Sequence, residues 1–191
     1  MKTLFVNACV RPGSRTKILA NYVLDKVGGD IIELDLQKEK IQPLDFESLE
    51  KRDELLKAGD HSDEMLKYAR QFAEADMIVI AAPYWDLAFP AMVKNYLEAI
   101  TVQGITFYYN DEGIPQGLCK AKRLLYVMTA GGPTSMSGQS FNFGFDYVKG
   151  LCQMLYGIKD VMCFKAEMLD VIGMDVEDIL KKTMEEINKT L

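Results

Sequence analysis

Met77-Ile-Val-Ile-Ala-Ala-Pro-Tyr-Trp-Asp-Leu-Ala-Phe-Pro-Ala-Met-Val-Lys-Asn-Tyr-Leu-Glu-Ala-Ile100 is the stretch whose reading decides the fold. Met77 to Ala81 has the length and β-branched content of a strand buried on both faces. Pro83 ends it. Three large side chains follow, Tyr84, Trp85 and Leu87, in a segment with no periodicity. Pro90 suits a helix start, and Met92, Val93, Tyr96, Leu97 and Ile100 continue as an amphipathic helix. In an open α/β sheet, a loop between such a strand and helix lies at the carboxyl edge, where ligands bind. Spacing alone leaves two readings open: Tyr84 and Trp85 wall a ligand site, or they cap the core.

Working back toward the start, Thr3 to Asn7 forms a first apolar strand, and Ile18, Leu19, Tyr22, Val23 and Val27 mark a helix. Between them runs Ala8-Cys9-Val10-Arg11-Pro12-Gly13-Ser14-Arg15-Thr16. Hydroxyls and backbone N–H groups at a strand-to-helix turn hold anionic oxygens at the positive end of the helix dipole, and Arg11 or Arg15 adds charge. Ser14 is equally well explained as an N-cap. The loop is neither G-x-x-x-x-G-K-[ST] nor G-x-G-x-x-G, which weakens the case for ATP and for a Rossmann-bound dinucleotide. A second strand runs from Ile31 to Asp35, and a polar, irregular segment from Gln37 to Phe46. Leu49 to Ala75 reads as helical pieces broken near Gly59-Asp60, with Ser62 as N-cap of the second piece and His61, the one histidine, as a loop residue.

Working forward, Gly104 to Leu118 contains a strand-like Thr106-Phe107-Tyr108-Tyr109 and a turn-like Asp111-Glu112-Gly113, with aromatics suited to an interface or a site wall. Arg123 to Thr129 is the fourth strand. Ala130 to Gly138 is the loop richest in glycine and serine, and the Gly131-Gly132 pair lets backbone N–H groups approach a ligand closely. Asn142 to Tyr156 reads as a helix, Val161 to Lys165 as the fifth strand, and Asp175 to Leu191 as a terminal amphipathic helix. Five strands alternating with helices predict an α/β doubly wound parallel sheet, order 2-1-3-4-5, with helices on both faces. In that order the loops after strands one, three and four converge.

The 191 residues fit a single domain, 1–191. A net charge of −6 with interspersed signs argues against a nucleic-acid partner. The four cysteines stand singly, which suggests neither a zinc site nor a disulfide framework and predicts reduced thiols in a cytoplasmic protein. The apolar run at the start is too short for a signal segment, and no stretch has membrane-spanning length.

Several of these segments resemble the flavodoxin-like NAD(P)H-dependent oxidoreductases, the group that includes FMN-dependent NADH-azoreductases and quinone reductases. P-Y-W-x-L-x-x-P-A-x-V-K-N-Y at 83–96 resembles their flavin-contacting loop and helix. Ser14-Arg15-Thr16 is similar to their S-x-[ST] phosphate element, Gly104 to Tyr109 to their G-[IV]-T-F-x-Y, and Thr129-Ala130-Gly131-Gly132 to their [ST]-x-G-G. The resemblance implies bound FMN held by Cys9, Arg11, Ser14, Arg15, Thr16, Pro83, Tyr84, Trp85, Asp86, Leu87, Thr129, Ala130, Gly131 and Gly132. Tyr109 is implied on the acceptor side of the pocket. It further implies a homodimer that passes hydride from NADH or NADPH to a quinone, azo compound or similar flat acceptor in a ping-pong cycle. No catalytic side chain and no metal are required. Cys9 and Asp86 depart from azoreductase relatives, which carry serine and in many cases asparagine there. The alternative is a flavodoxin-type electron carrier, although the first loop lacks T-x-T-G-x-T; a flavin-free binding module is a third reading.

Overall fold

The computed structural model describes residues 1–191. In chain order the elements are β1 (Lys2–Asn7), α1 (Arg15–Val27), β2 (Asp30–Asp35), α2 (Leu36–Glu39), α3 (Phe46–Ala58), α4 (Lys67–Glu74), β3 (Met77–Ala81), α5 (Ala91–Ile100), β4 (Phe107–Tyr109), β5 (Pro115–Gly117), β6 (Arg123–Thr129), β7 (Ser135–Met136), β8 (Gln139–Ser140), α6 (Phe143–Leu151), β9 (Asp160–Ala166) and α7 (Val176–Thr190). A 3-10 turn at Glu64–Leu66 leads into α4, and a π turn at Cys152–Tyr156 follows α6.

The five main strands pair in parallel in the order β2-β1-β3-β6-β9, the order that the sequence predicts. Successive side chains of a strand point to opposite faces. Ile78 and Ile80 of β3, with Leu124, Tyr126 and Met128 of β6, therefore enter a core built with Phe72 of α4, Val93, Tyr96, Leu97 and Ile100 of α5 and Val148 of α6. Val79, Ala81, Leu125 and Val127 enter a second core against Leu19, Ala20 and Val23 of α1 and Ile187 of α7. Apolar run and helix periodicity thus produce one sheet with a helical layer on each face.

Several local expectations change. Asp63, not Ser62, caps the turn before α4: Asp63 accepts from the Met65 N–H, whereas Ser62 is itself held by Asp60. The break between α3 and α4 does fall at Gly59, whose φ of 69° closes α3. β9 extends one residue beyond each predicted end, and at Asp160 the Arg123 guanidinium pairs with the carboxylate at 2.5 Å. α6 stops at Leu151. The predicted irregular segment includes the short α2, because Asp35 accepts from Gln37 N–H and Leu36 is buried. Phe107 is buried rather than exposed, while Tyr108 and Tyr109 beside it are about half exposed.

Candidate functional site

The carboxyl ends of β1, β3 and β6 are neighbours, and the loops that leave them line one cleft of about 270 Å³. Arg11, Ser14, Arg15 and Thr16 come from the first loop, Pro83, Tyr84 and Trp85 from the second, and Thr129, Ala130 and Gly131 from the third. Sequence reasoning missed Val10, Pro12, Gly13 and Asp170. The first three lie within the loop it did identify. Asp170 follows β9, and its only signal was an acidic residue just past the fifth strand.

In the first loop the Ser14 side chain accepts from Lys17 N–H at 3.4 Å, so it is the N-cap of α1. This does not exhaust the helix end. The N–H groups of a first turn have no intrahelical partner, and they carry the positive end of the dipole. Gly13, at φ 68°, makes the left-handed turn into that end, a conformation in which a side chain is strained. The Thr16 hydroxyl is buried and shares a 2.6 Å hydrogen bond with the Thr129 hydroxyl, which ties the first loop to the third. Arg15 donates to Leu169 O at 2.8 Å and to Asp170 Oδ1 at 2.7 Å. The predicted free charge at Arg15 is therefore engaged, and Arg11 is the cleft guanidinium without a carboxylate partner. Cys9 lies off the cleft, in an adjoining depression, with its sulfur 3.9 Å from Ala81 O. Burial pushes its thiol pKa up against the opposing hydrogen bond with Ser14, and the group stays neutral.

The second loop holds a tight turn. Trp85 and Ala88 exchange backbone hydrogen bonds of 3.2 and 2.8 Å, and between them Asp86 and Leu87 both have positive φ, 51° and 67°. Two left-handed central residues define a type I′ geometry, which ordinarily favours Asn-Gly. The turn carries Asp86 and Leu87 outside the cleft lining, unlike Tyr84 and Trp85. Tyr84 packs on the core and donates its hydroxyl to Phe141 O at 3.0 Å, while Trp85 is about 39% exposed. Both residues line the cleft, Tyr84 anchored to the core and Trp85 half-exposed.

In the third loop the carbonyls of Ala130 and Gly131 accept from the N–H groups of Leu169 and Asp170 at 3.2 and 2.9 Å. The N–H groups of Gly131 and Gly132 donate to nothing in the protein. Gly131 lines the cleft, whereas Gly132, predicted with it, follows in the chain but is not part of the lining. Tyr109, predicted on the acceptor side, does not line this cleft within the single chain; it stands on β4, packed edge-on against Phe107.

These groups fit FMN. Unspent N–H groups and a hydroxyl at the α1 start suit a phosphate monoester, and free glycine N–H groups with a flat indole suit the ring. Two guanidiniums against the one carboxylate of Asp170 leave the cleft lining positive.

Comparison with known proteins agrees. A family model described as flavodoxin-like fold matches residues 1–191. FMN-dependent NADH:quinone oxidoreductase 2 of Clostridium acetobutylicum is 41% identical, with 97% of this chain and 95% of that protein covered. A protein of the same activity name from Lachnoclostridium phytofermentans is 40% identical over 82% of this chain and 77% of its own length. Among solved structures, an azoreductase from Bacillus anthracis superposes with a TM-score of 0.85 at 26% identity, over 99% of this chain and 97% of that one. Strand order, converging loops and similarity along nearly the whole length lead to one conclusion: the chain belongs to the flavodoxin-like family that includes the FMN-dependent NADH:quinone oxidoreductases.

Proposed function

We propose that this protein is an FMN-dependent NADH:quinone oxidoreductase, acting on quinones, azo compounds or similar flat acceptors. The observation that carries the reading is the convergence of three loops on one cleft that offers the α1 N-terminus and the unspent Gly131 N–H, with the equally unspent Gly132 N–H next in the chain. FMN, when bound, supplies the hydride chemistry, so no side-chain acid or base is required. The chain's own residues bind and orient. The α1 start, Ser14 and Arg11 hold the phosphate, Pro83 to Trp85 flank the ring, and Thr16 with Thr129 fixes the distance between the two loops.

The active form is a homodimer. Tyr108, Tyr109, Phe143 and Met154 are exposed, and α3 buries no residue, so apolar surface remains to be covered. In this arrangement a second copy brings Tyr109 to the acceptor side of the pocket. No helix is long and apolar enough to cross a membrane, and all four cysteines are free, which supports a cytoplasmic location.

The test is an absorbance spectrum of the purified protein followed by steady-state NADH oxidation. Bound yellow flavin and rapid turnover that depends on added quinone are expected. Bound flavin with negligible NADH oxidation would point to an electron carrier, and absent flavin affinity to a flavin-free binding module. Light scattering that shows a fully active monomer at micromolar concentration would remove the dimer.

A further inference from the structure

Glycines cannot orient themselves. Gly131 and Gly132 have no side chains to pack, yet their N–H groups serve a ligand only if the peptide planes are fixed. In a planar trans peptide the C=O of one residue and the N–H of the next point in opposite directions. Leu169 N–H holds the carbonyl of Ala130, which turns the Gly131 N–H away from the 168–170 segment. Asp170 N–H holds the carbonyl of Gly131 and turns the Gly132 N–H the same way, and Met168 N–H reaches Gly132 O at 3.4 Å. One short segment after β9 thus sets the direction of both donors.

That segment and the loop are fastened by a side chain. Glu167 Oε1 accepts from the Thr134 N–H at 2.7 Å and from the Thr134 hydroxyl, while Lys165 Nζ pairs with Glu167 Oε2 at 3.1 Å and donates to the Thr134 hydroxyl at 3.2 Å. Thr134 is buried, and its carbonyl accepts from Phe141 N–H at 2.8 Å, which closes the β7–β8 hairpin. Phe141 O in turn takes the Tyr84 hydroxyl. The base of the hairpin is pinned at Thr134 by Glu167 and at Phe141 by Tyr84, the latter a cleft residue.

We propose that Glu167, backed by the 168–170 backbone, is the positioning residue that aims the Gly131 and Gly132 N–H groups at the flavin ring. This rests on the proposed FMN site and deepens it. Glu167 touches no ligand and acts through the loop. The donors it aims meet the ring and not the phosphate, so its loss weakens riboflavin and FMN alike, whereas damage to the first loop weakens FMN alone.

The experiment measures apo melting temperature and the Kd of FMN and of riboflavin, by quenching of flavin fluorescence, for wild type, Glu167→Ala, Glu167→Gln and Thr134→Val. Glu167→Ala is expected to raise both Kd values about tenfold, the loss of roughly one aligned hydrogen bond. Glu167→Gln keeps a carbonyl acceptor for Thr134 and is expected to stay within about threefold of wild type. Thr134→Val removes the hydroxyl but keeps the N–H. It is expected to raise both values about threefold, and it carries the test if Glu167→Ala does not fold. A role confined to holding the fold would lower the melting temperature and leave both Kd values of the folded protein unchanged; that result, or a loss seen with FMN only, overturns the inference while the FMN site stands. Wild-type protein that binds neither flavin overturns the FMN site itself, and this inference with it.

Discussion

The loops after β1 and after β6 face one cleft across the Thr16–Thr129 hydroxyl pair, but they are made of different materials. The first works through charge and field: a helix N-terminus, hydroxyls and guanidiniums, all supplied within a few residues of chain. The second works through backbone direction, and what sets that direction lies more than thirty residues further on, at Glu167 to Asp170. A site for an anion tolerates geometric slack because the Coulomb term falls slowly with distance, whereas hydrogen bonds to a ring edge weaken steeply off axis. The loop that must be aimed is the one held from outside.

The comparison breaks first, and by the largest margin, at Ser14. Ser14→Asp keeps a good capping oxygen at a position where negative charge favours the helix, so the apo melting temperature should hold or rise. Facing a phosphate dianion at a few ångströms, the new carboxylate costs on the order of several kcal/mol at an effective dielectric near 20, and FMN binding should weaken at least about a hundredfold. Riboflavin affinity should change little. A variant that binds FMN as tightly as wild type would make Ser14 a cap and nothing more.

The third loop is sharpened by its two glycines. A Cβ on Gly131 collides with Asp170 Oδ2 and crowds its Cγ at 3.1 Å, while one on Gly132 meets nothing within 4 Å. Gly131→Ala must move the exposed Asp170 carboxylate off Arg15, and we expect it to destabilise the apo protein by no more than about 1 kcal/mol, the worth of an exposed ion pair. Gly132→Ala should leave the apo melting temperature close to wild type. Equal melting curves for the two variants would show that Asp170 does not pack where it is placed.

A smaller effect tests the acceptor side. Tyr109→Ala should raise KM for the quinone several-fold more than it raises the Kd of FMN, because lost acceptor binding shows mainly in that quantity. Unchanged acceptor kinetics would return Tyr109 to the surface of β4.

The smallest expected effect is in pH. Burial raises the Glu167 carboxyl, but the hydrogen bonds from the Thr134 hydroxyl and N–H and the nearby Lys165 outweigh it and hold the pKa below its ordinary 4.5. A lowered folded-state pKa means that the contribution to stability is present above the unfolded value and is lost as pH falls through the folded one. Melting temperature should therefore fall more steeply below about pH 4.5 in wild type than in Glu167→Gln. Parallel profiles would detach Glu167 from the loop.

The fold was legible because its signals are repetitive. Apolar runs such as Met77–Ala81 and periodic faces such as Val93, Tyr96, Leu97 and Ile100 specify element and layer together, and strand order followed from their alternation. The first loop was legible for a similar reason, since the residue types of Ser14 and Arg11 alone suggest an anion site, and both line the cleft. What stayed hidden depended on contacts between distant residues. Nothing local says that Arg15 is taken by Asp170, that Thr16 turns inward to Thr129, or that two-residue strands at Ser135 and Gln139 pair at all. Asp86 and Leu87 were placed correctly in the loop but not on its outer side, because the turn type depends on backbone angles that neither side chain advertises.

The Trp85–Ala88 turn is also a reserve of stability left undrawn. A left-handed conformation costs a residue other than glycine roughly 1–2 kcal/mol, and this turn places Leu87 there at φ 67°. Selection for heat resistance alone would find Leu87→Gly an inexpensive gain. Its persistence would mark a position where durability yields to use, and a lineage of thermostable variants that leaves it alone would identify the half-exposed Leu87 side chain as one that something outside the chain reads.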